Sequence, residues 1–314
     1  MACSDDEGAS TTDASQPSED ETTSPTPDEE PVTSPPFEID TFEQTFVDDT
    51  RATPAIPGTG VDASDDRSLV TTVRIPRVEG RLPLIVFSHG VDGHPDKFVR
   101  LLDAWAAAGY VVAAPAFPLS NALVPGEASV FDLQEQSGDV SFLIDEVLAA
   151  SHEPGSPFEG VVDNERIGIG GLSLGAATTY TTAFGECCTD DRVDAVVALA
   201  GLAVPVEPDR LGTPTFVGHS DDDPLLSYDS AVELYEGFTG PAYMLTVFGG
   251  QHAWAYEDND HPAGPVIDLA TTRFWDRYLR GDDEVPETLV TPEELGDAGT
   301  LELGGDLPPE VLGG

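Results

Sequence analysis

Residues 166–180 read RIGIGGLSLGAATTY, and this stretch decides the fold of the chain. An apolar run ends at Gly170, the sequence GLSLG follows at residues 171–175, and small residues continue from Ala176. This strand, sharp turn and helix pattern is the context of a nucleophile elbow, in which the serine adopts a strained backbone conformation. The strand and helix pass so closely that the positions two before and two after the serine must be nearly free of side chain. Gly171 and Gly175 occupy those positions, so we predict the elbow at Ser173.

Short apolar runs alternate with helical patterns on both sides of this segment. Most of the predicted strands are bounded by Gly, Pro or Asp; they are Leu69–Ile75, Leu84–Phe87, Val111–Ala114, Ile167–Gly170, Ala195–Ala200, Thr215–Val217 and Tyr243–Phe248. Apolar residues at spacings of three and four predict helices around Leu101 and Leu143. A last helix is predicted from Val266 to about Leu279, where Gly281 stops it. The alternation implies a mostly parallel sheet covered by helices on both faces.

An acidic turn downstream of Ser173 is the candidate position of an orienting acid. A serine hydroxyl needs a general base, and the base needs an acid; in this fold class the chain order is Ser, then Asp or Glu, then His. Residues 215–224 read TFVGHSDDDP, an apolar strand that breaks into aspartates. We assign the acid to Asp223 because Pro224 fixes the turn, with Asp222 as the alternative. Solvated turn residues are the competing interpretation, and the spacing lacks the glycine and distal glutamate of a calcium loop.

A glycine-rich turn after the strand Tyr243–Phe248 is the candidate position of the base. Gly249 and Gly250 let the imidazole of His252 fold back over the strand ends, and His219 in the acid loop is the rival. An oxyanion hole needs two backbone N–H groups directed at the developing charge. We assign one to Leu174 and the other to Val91, which follows the strand Leu84–Phe87.

The composition limits the kinds of partner. The chain has 314 residues, of which 39% are hydrophobic, enough for one large domain with its own core. With 59 acidic and 13 basic residues its net charge is −46, so nucleic acid and anionic membrane surfaces are disfavoured partners. Such acidity fits a salt-adapted or extracellular setting. No apolar run reaches transmembrane length.

The two ends of the chain differ in composition from its middle. Residues 1–38 contain 11 acidic residues and no Lys or Arg, which predicts a disordered stalk before a catalytic domain at residues 39–290. Residues 291–314 are rich in Gly, Pro and Glu and predict a loose tail. Cys3 is the candidate lipidation site of a bacterial lipoprotein whose signal peptide is absent here, or else a plain tail cysteine. Cys187 and Cys188 are either a strained vicinal disulfide or two reduced, buried thiols.

With these features the chain resembles serine hydrolases of the α/β-hydrolase fold. More narrowly it is similar to bacterial dienelactone-hydrolase-like and platelet-activating-factor-acetylhydrolase-like esterases and, more distantly, to cutinases and polyester hydrolases. The resemblance spans roughly residues 40–285. It rests on the elbow, the acid loop, residues 250–252 (GQH), 49–54 (DTRATP), 83–90 (PLIVFSHG) and 274–279 (FWDRYL). The chain departs from polyester hydrolases at Val91 and residues 201–203, where aromatic residues are usual, and dienelactone hydrolases proper carry a cysteine in place of Ser173.

The resemblance implies a carboxylic ester hydrolase that works through an acyl-enzyme without a metal or other cofactor. The short connection from about Gly201 to Gly212 leaves no room for a cap domain, so we expect an open cleft with Phe117, Leu202 and Trp254 among its walls. Neutral small or polymeric esters are the expected substrates of a monomer that is secreted or lipid-anchored outside the bacterial cytoplasm. The alternatives are a peptidase or amidase on the same fold, or a non-catalytic, surface-tethered binding protein.

Overall fold

A computed structural model describes residues 35–206, 210 and 212–305 of the chain. Within this part nine strands form one sheet in the order β1-β2-β4-β3-β5-β6-β7-β8-β9. The strands are β1 (Ile39–Asp48), β2 (Arg67–Pro76), β3 (Leu82–Ser88), β4 (Val111–Ala116), β5 (Val162–Leu172), β6 (Val193–Leu199), β7 (Thr215–Ser220), β8 (Ala242–Val247) and β9 (Gly299–Gly304). The helices are α1 (Val99–Ala107), α2 (Leu133–Ala150), α3 (Leu174–Phe184), α4 (Tyr228–Gly237), α5 (Trp254–Glu257), α6 (Gly264–Leu279) and α7 (Pro292–Leu295).

The sheet is mostly parallel, as predicted. Strands β3 to β8 pair in parallel, whereas β1 and β2 at one edge and β9 at the other pair antiparallel. Each of the seven predicted strands coincides with an observed strand to within a residue or lies inside it. The carboxyl ends of parallel strands meet at one edge of a sheet, so the segments after β3, β5, β7 and β8 come together there.

Helices cover both faces of the sheet and form two hydrophobic cores with it. Helices α1 and α6 pack on one face, where Trp105 meets Trp275 edge to face with ring centroids 5.6 Å apart. Helices α2, α3 and α4 pack on the other face. Because the central strands are buried on both sides, they are continuous apolar runs, such as Leu84–Phe87, rather than alternating ones.

The connection between β6 and β7 is short. Strand β6 ends at Leu199 and β7 begins at Thr215, so only residues 200–214 join them. Independent domains need about 50 residues or more. The carboxyl edge of the sheet therefore has no domain inserted above it at this point.

A buried ion-pair network fastens α2 to the sheet. Arg67 of β2 is fully buried and donates hydrogen bonds to both Asp132 and Asp139 at 2.6–2.8 Å. The second oxygen of Asp132 accepts the N–H of Leu119, 3.1 Å away, in the segment after β4. Burial raises the pKa of Asp139, and the contact with Arg67 opposes that shift. The network thus places the start of α2 beside the carboxyl edge of the sheet.

The prediction of a loose tail at residues 291–314 is wrong for residues 291–305. Helix α7 opens with a capping box between Thr291 and Glu294, and β9 pairs with β8 along its whole length. Without β9, the edge of β8 would be left with unpaired N–H and C=O groups. The alternating Leu301 and Leu303 pack against the core, a two-residue signal that the surrounding glycines obscured.

The amino-terminal predictions fall largely outside the described residues. Residues 1–34 of the predicted stalk, including Cys3, lie there. Its last residues are described: Phe37 donates its N–H to Ala107, 2.8 Å away, and Glu38 pairs with Arg77. No helix in the described ranges is long and apolar enough to cross a membrane.

The Arg67 network predicts a large difference between two arginine substitutions. We expect Arg67→Met to lower the free energy of unfolding by about 3–5 kcal/mol, because Asp132 stays buried without a cation and Asp139 keeps only its pair with Arg51. Arg77→Met removes an exposed pair with Glu38 and Asp40 and should cost at most about 1 kcal/mol. Urea unfolding at pH 7 measures both, and equal values would show that the buried network does not stabilise the fold.

Candidate active site

Ser173 occupies a strained turn between β5 and α3. Its φ is 57° and its ψ is −113°, a conformation that side-chain-bearing residues rarely adopt. Its N–H donates to the carbonyl oxygen of Leu199 in the neighbouring strand, 2.9 Å away. Strain of this kind costs about 1–3 kcal/mol and persists only where the surrounding structure enforces it.

The glycines around Ser173 allow backbones to touch. A Cβ atom on Gly171 would overlap the carbonyl group of Gly175, and one on Gly175 would overlap the carbonyl group of Ser88 in β3. A Cβ on Gly90 would lie 3.2 Å from that of Ser173. The close approach predicted from the GLSLG segment is therefore present, and it also brings the segment after β3 against the serine.

Ser173, His252 and Asp223 form a hydrogen-bonded chain. His252 Nε2 lies 2.8 Å from Ser173 Oγ, and Nδ1 lies 2.7 Å from Asp223 Oδ2. The carboxylate only accepts, so Nδ1 carries the proton and Nε2 accepts from the hydroxyl. The three residues follow β5, β8 and β7 respectively. The structure thus brings together the three residues that we assigned as nucleophile, base and acid, and the imidazole is placed to take the hydroxyl proton.

Asp223 is held by four donors. Its Oδ1 accepts the N–H groups of Leu225 and Leu226 at 2.8 and 3.0 Å, and Oδ2 lies 2.7 Å from His252 and 3.2 Å from His219 Nε2. Burial raises the pKa of Asp223, but the hydrogen bonds from His252, Leu226 and Leu225 outweigh it, so that the pKa lies below its usual range. Asp223 therefore remains a carboxylate with a fixed orientation.

His219, the rival base, contacts Asp223, whereas the hydroxyl of Ser173 contacts His252. Its Nε2 is 3.2 Å from both Asp223 Oδ2 and the carbonyl oxygen of Leu226, so this nitrogen carries the proton. Its Nδ1 is buried without a partner among the described residues, and burial lowers the pKa of the ring. A neutral His219 therefore donates to Asp223, a role that the sequence did not indicate.

Asp221 and Asp222 brace the turn that carries His252. Asp222 Oδ1 accepts the Ser220 hydroxyl at 2.7 Å and the Gln251 N–H at 2.9 Å, and Asp221 accepts the Gly249 N–H at 3.0 Å. The side chains of Asp221 and Asp222 thus tie the acid loop to the backbone of residues 249–251, which precede His252. In the described part of the chain, no group of three or more His, Cys, Asp or Glu side chains has an arrangement suited to a metal ion.

The two N–H groups assigned to an oxyanion hole belong to residues beside Ser173. Leu174 is the first residue of α3, where helical N–H groups have no partner within the helix, and Val91 follows Gly90. Both residues line the cavity that contains Ser173. His89 braces this loop: its Nε2 accepts the Phe117 N–H at 3.1 Å, its Nδ1 donates to Gly90, and burial lowers its pKa to about 4.

The cavity at Ser173 holds about 290 Å³ and is mainly apolar. Leu202 lines it, as predicted. The expectation for Phe117 is wrong: the ring does not line the cavity but is fully buried and packs against the ring of His89, with centroids 5.1 Å apart. Trp254 does not line this cavity either, because its indole donates to Asp258 and packs edge-on against His261. Lining residues that the sequence did not indicate are Val130, Leu225, Leu226, Ala253 and Glu257.

Glu257 is the one acidic side chain among the described residues that line this cavity. It ends α5, and no donor in the described part of the chain hydrogen-bonds its carboxylate. Burial raises the pKa of Glu257. A helix of four residues is too short for the spacing of its apolar residues to show which side chain faces a cavity formed by other segments. The sequence therefore carried no signal for Glu257.

The hydrogen-bonded chain predicts the reactivity of Ser173 towards a fluorophosphonate. We expect Asp223→Asn to slow labelling by roughly 10³–10⁴-fold, because the amide no longer holds the imidazole as the required tautomer. Asp221→Asn is the matched control and should slow it less than about threefold, since its amide oxygen still accepts the Gly249 N–H. Labelling rates by intact mass measure the effect; an equal loss in both variants would contradict the assignment of Asp223.

Comparison with known proteins assigns no family to the chain. A scan against protein-family models and a search of curated proteins both returned no match. The functional conclusion therefore depends on the geometry of the site.

Proposed function

We propose that the chain is a serine carboxylic ester hydrolase with an α/β-hydrolase fold. The observation that carries this proposal is the chain of hydrogen bonds from Ser173 through His252 to Asp223, at 2.8 and 2.7 Å. The strained turn at Ser173, the adjacent N–H groups of Val91 and Leu174 and the apolar cavity support it. Together they supply a nucleophile, a base, an orienting acid and donors for a developing oxyanion.

The first half of the proposed reaction forms an acyl-enzyme. Ser173 Oγ attacks the ester carbonyl carbon while His252 Nε2 takes its proton, and the carboxylate of Asp223 stabilises the resulting imidazolium. The N–H groups of Val91 and Leu174 donate to the oxyanion of the tetrahedral intermediate. Collapse of that intermediate expels the alcohol, which receives the proton from His252.

Water completes the proposed cycle. A water molecule gives a proton to His252 and attacks the acyl-enzyme, and the second tetrahedral intermediate releases the carboxylic acid and restores the Ser173 hydroxyl. Each group thus returns to its starting protonation state. Since Asp223 has a pKa below its usual range, it stays charged throughout.

The cavity favours neutral esters with short or medium acyl chains. Its lining is mostly Leu, Val and Ala, and no lysine or arginine among the described residues lines it. Arg100 is bonded to Asp268 and Gly264, and Arg210 pairs with Asp191, so both arginines have acidic partners outside the cavity. Lipid-like esters and polyester chain ends also belong to the proposed substrate class, because no inserted domain lies above the edge of the sheet at the β6–β7 connection.

A peptidase or amidase uses the same groups, and a surface-tethered binding protein would have no need of them. A p-nitrophenyl ester and a p-nitroanilide with the same acyl group distinguish an esterase from a peptidase or amidase. Fluorophosphonate labelling of Ser173 distinguishes an enzyme from a binding protein. A monomer, secreted or anchored outside the cytoplasm through a lipid on Cys3, completes the proposal; Cys3 lies outside the described residues.

Replacement of the nucleophile tests the proposed function directly. We expect Ser173→Ala to lower kcat for p-nitrophenyl butyrate by roughly 10⁴–10⁶-fold, since only the oxyanion donors and binding remain. The variant should keep the fold, because alanine removes one hydroxyl and leaves the backbone. Ser68→Ala, at an exposed position of β2, is the control. Unchanged turnover by a folded Ser173→Ala variant would refute the hydrolase assignment.

Glu257 predicts discrimination against anionic esters. We expect a higher kcat/KM for p-nitrophenyl butyrate than for mono-p-nitrophenyl succinate, because the acyl carboxylate would enter a cavity that already holds a carboxylate. Glu257→Gln should narrow the ratio by roughly 3- to 10-fold. Asp260→Asn is an exposed control on the segment after α5. Any change that Asp260→Asn causes in the ratio of the two kcat/KM values should vanish in 1 M salt, where the Debye length is about 3 Å. An anionic ester hydrolysed as fast as the neutral one would contradict the prediction.

A further inference from the structure

Cys187 and Cys188 form a pair of neighbouring thiols at the opposite end of α3 from Ser173. They lie in the turn between α3, which ends at Phe184, and β6, which begins at Val193. Both are free and exposed, so the interpretation of two buried thiols is wrong. Their sulfur atoms are in direct contact, close enough for a disulfide to form with a small movement.

The backbone at Cys188 accounts for the meeting of the two sulfurs. In an extended chain, consecutive side chains point to opposite sides. Cys188 instead has a φ of 68°, in the left-handed region that a residue with a side chain seldom adopts. This turn directs the second sulfur to the same side as the first, so that the pair is preorganised for chemistry that needs two thiols at once.

The electrostatics of the pair separate the two thiols. The hydrogen bond with Cys187 and burial, together with the charges of Cys187 and Glu135, raise the pKa of Cys188 to about 11. A thiol that keeps its proton is a poor nucleophile, so only one sulfur of the pair attacks at first, and in the proposed reaction this is Cys187. Once Cys187 is bonded to another sulfur, its charge is gone, and Cys188 then ionises more easily.

A cavity of about 630 Å³ opens beside the two thiols. It lies between the start of α2, the end of α3 and the segment after β6, with Gln134, Ser137, Thr181, Val204 and Pro205 in its wall. Ser137 is 2% exposed, and its hydroxyl has no hydrogen-bond partner in the described part of the chain. A buried hydroxyl without a partner carries a cost that a bound polar group would remove. The cavity thus offers both room and an unused polar contact next to the sulfurs.

We propose that Cys187 and Cys188 are a redox-active vicinal dithiol that reacts with small neutral or cationic disulfides at this cavity. The charge preference follows from Glu186, which lines the cavity, and from the absence of lysine and arginine among its described lining residues. A small disulfide carrying ammonium groups, such as cystamine, combines the reactive bond with the complementary charge.

The exchange proceeds in two balanced steps. The Cys187 thiolate attacks one sulfur of the disulfide, forming a mixed disulfide and releasing one small thiol. Cys188 then attacks the Cys187 sulfur, closing the vicinal disulfide and releasing the second small thiol. The two protein thiols lose two hydrogens, and the small disulfide gains them. A disulfide across Cα atoms about 3.8 Å apart is strained and easily reduced, which makes the site reversible.

The experiment follows the thiols of the full chain during reaction with cystamine. The protein is reduced, freed of reductant, treated with cystamine, quenched with acid, alkylated and digested with trypsin. The peptide from Ile167 to Arg192 then reports on the pair alone, without Cys3. We expect the wild-type peptide to lose two hydrogens and to carry neither cysteamine nor alkyl groups. The mixed disulfide should stay below roughly a tenth of the total, because the closing step is intramolecular.

Single variants provide the matched controls. Cys187→Ser and Cys188→Ser each keep one thiol and lack the resolving partner, so each peptide should retain one cysteamine when it reacts. Reduced wild type should also bind one phenylarsine oxide per vicinal pair, with loss of one water, whereas neither single variant should hold it after dilution. A wild-type peptide that carries two cysteamine groups, stays unreacted or is crosslinked to another peptide would overturn the proposal. None of these readouts depends on ester hydrolysis.

Discussion

The close approach of three backbone segments at the end of β5 is the constraint on which the rest of the site depends. Gly171 and Gly175 face each other across the turn, Gly175 touches the end of β3, and Gly90 lies against Ser173. Glycine is required at residues 171 and 175, because a Cβ at either position would overlap a carbonyl group, whereas a Cβ at Gly90 would make only a tight contact. The same contact enforces the positive φ of Ser173 and places Val91 beside it. The contacts that hold Ser173 in this strained conformation thereby fix the position of the proposed nucleophile.

The acid loop shows how three consecutive aspartates acquire different tasks. Asp223 points inward and collects two backbone donors and two histidines, whereas Asp221 and Asp222 turn to the backbone of the base loop. A carboxylate held by this many donors has little freedom to rotate. The orientation of His252 is consequently set from both sides, by Asp223 directly and by the braced turn before it. In the proposed mechanism that fixed imidazole is what allows a serine hydroxyl to act at neutral pH.

The acidic residues of the chain have different surroundings in the core and at the cavity. Buried carboxylates near the sheet are paired, as Asp132 and Asp139 are with Arg67, because an isolated buried charge is costly. Glu257 is the exception at the cavity, where its carboxylate meets no donor among the described residues. Glu257 makes the cavity acidic, like the protein as a whole, and in the proposed function this acidity disfavours anionic substrates. The cavity beside the thiol pair is also acidic, since Glu186 lines it and the charge of Glu135 acts on Cys188.

The sequence by itself determined seven strands of the mostly parallel sheet and the helices at α1, α2, α3 and α6, and it indicated Ser173, Asp223 and His252, which the fold brings together. Each of these depends on local features: apolar runs, glycines at a turn and residue types after a strand. The sequence did not indicate β9, the role of His219 or the lining by Leu225 and Glu257, and it placed Phe117 and Trp254 wrongly. Whether a side chain at the end of a strand faces a cavity or a neighbouring loop depends on segments far away in the chain. The ring of Phe117 is buried against His89, and the indole of Trp254 contacts Asp258 and His261. Only the tertiary structure decides those contacts, because they arise from packing between elements that share no local pattern.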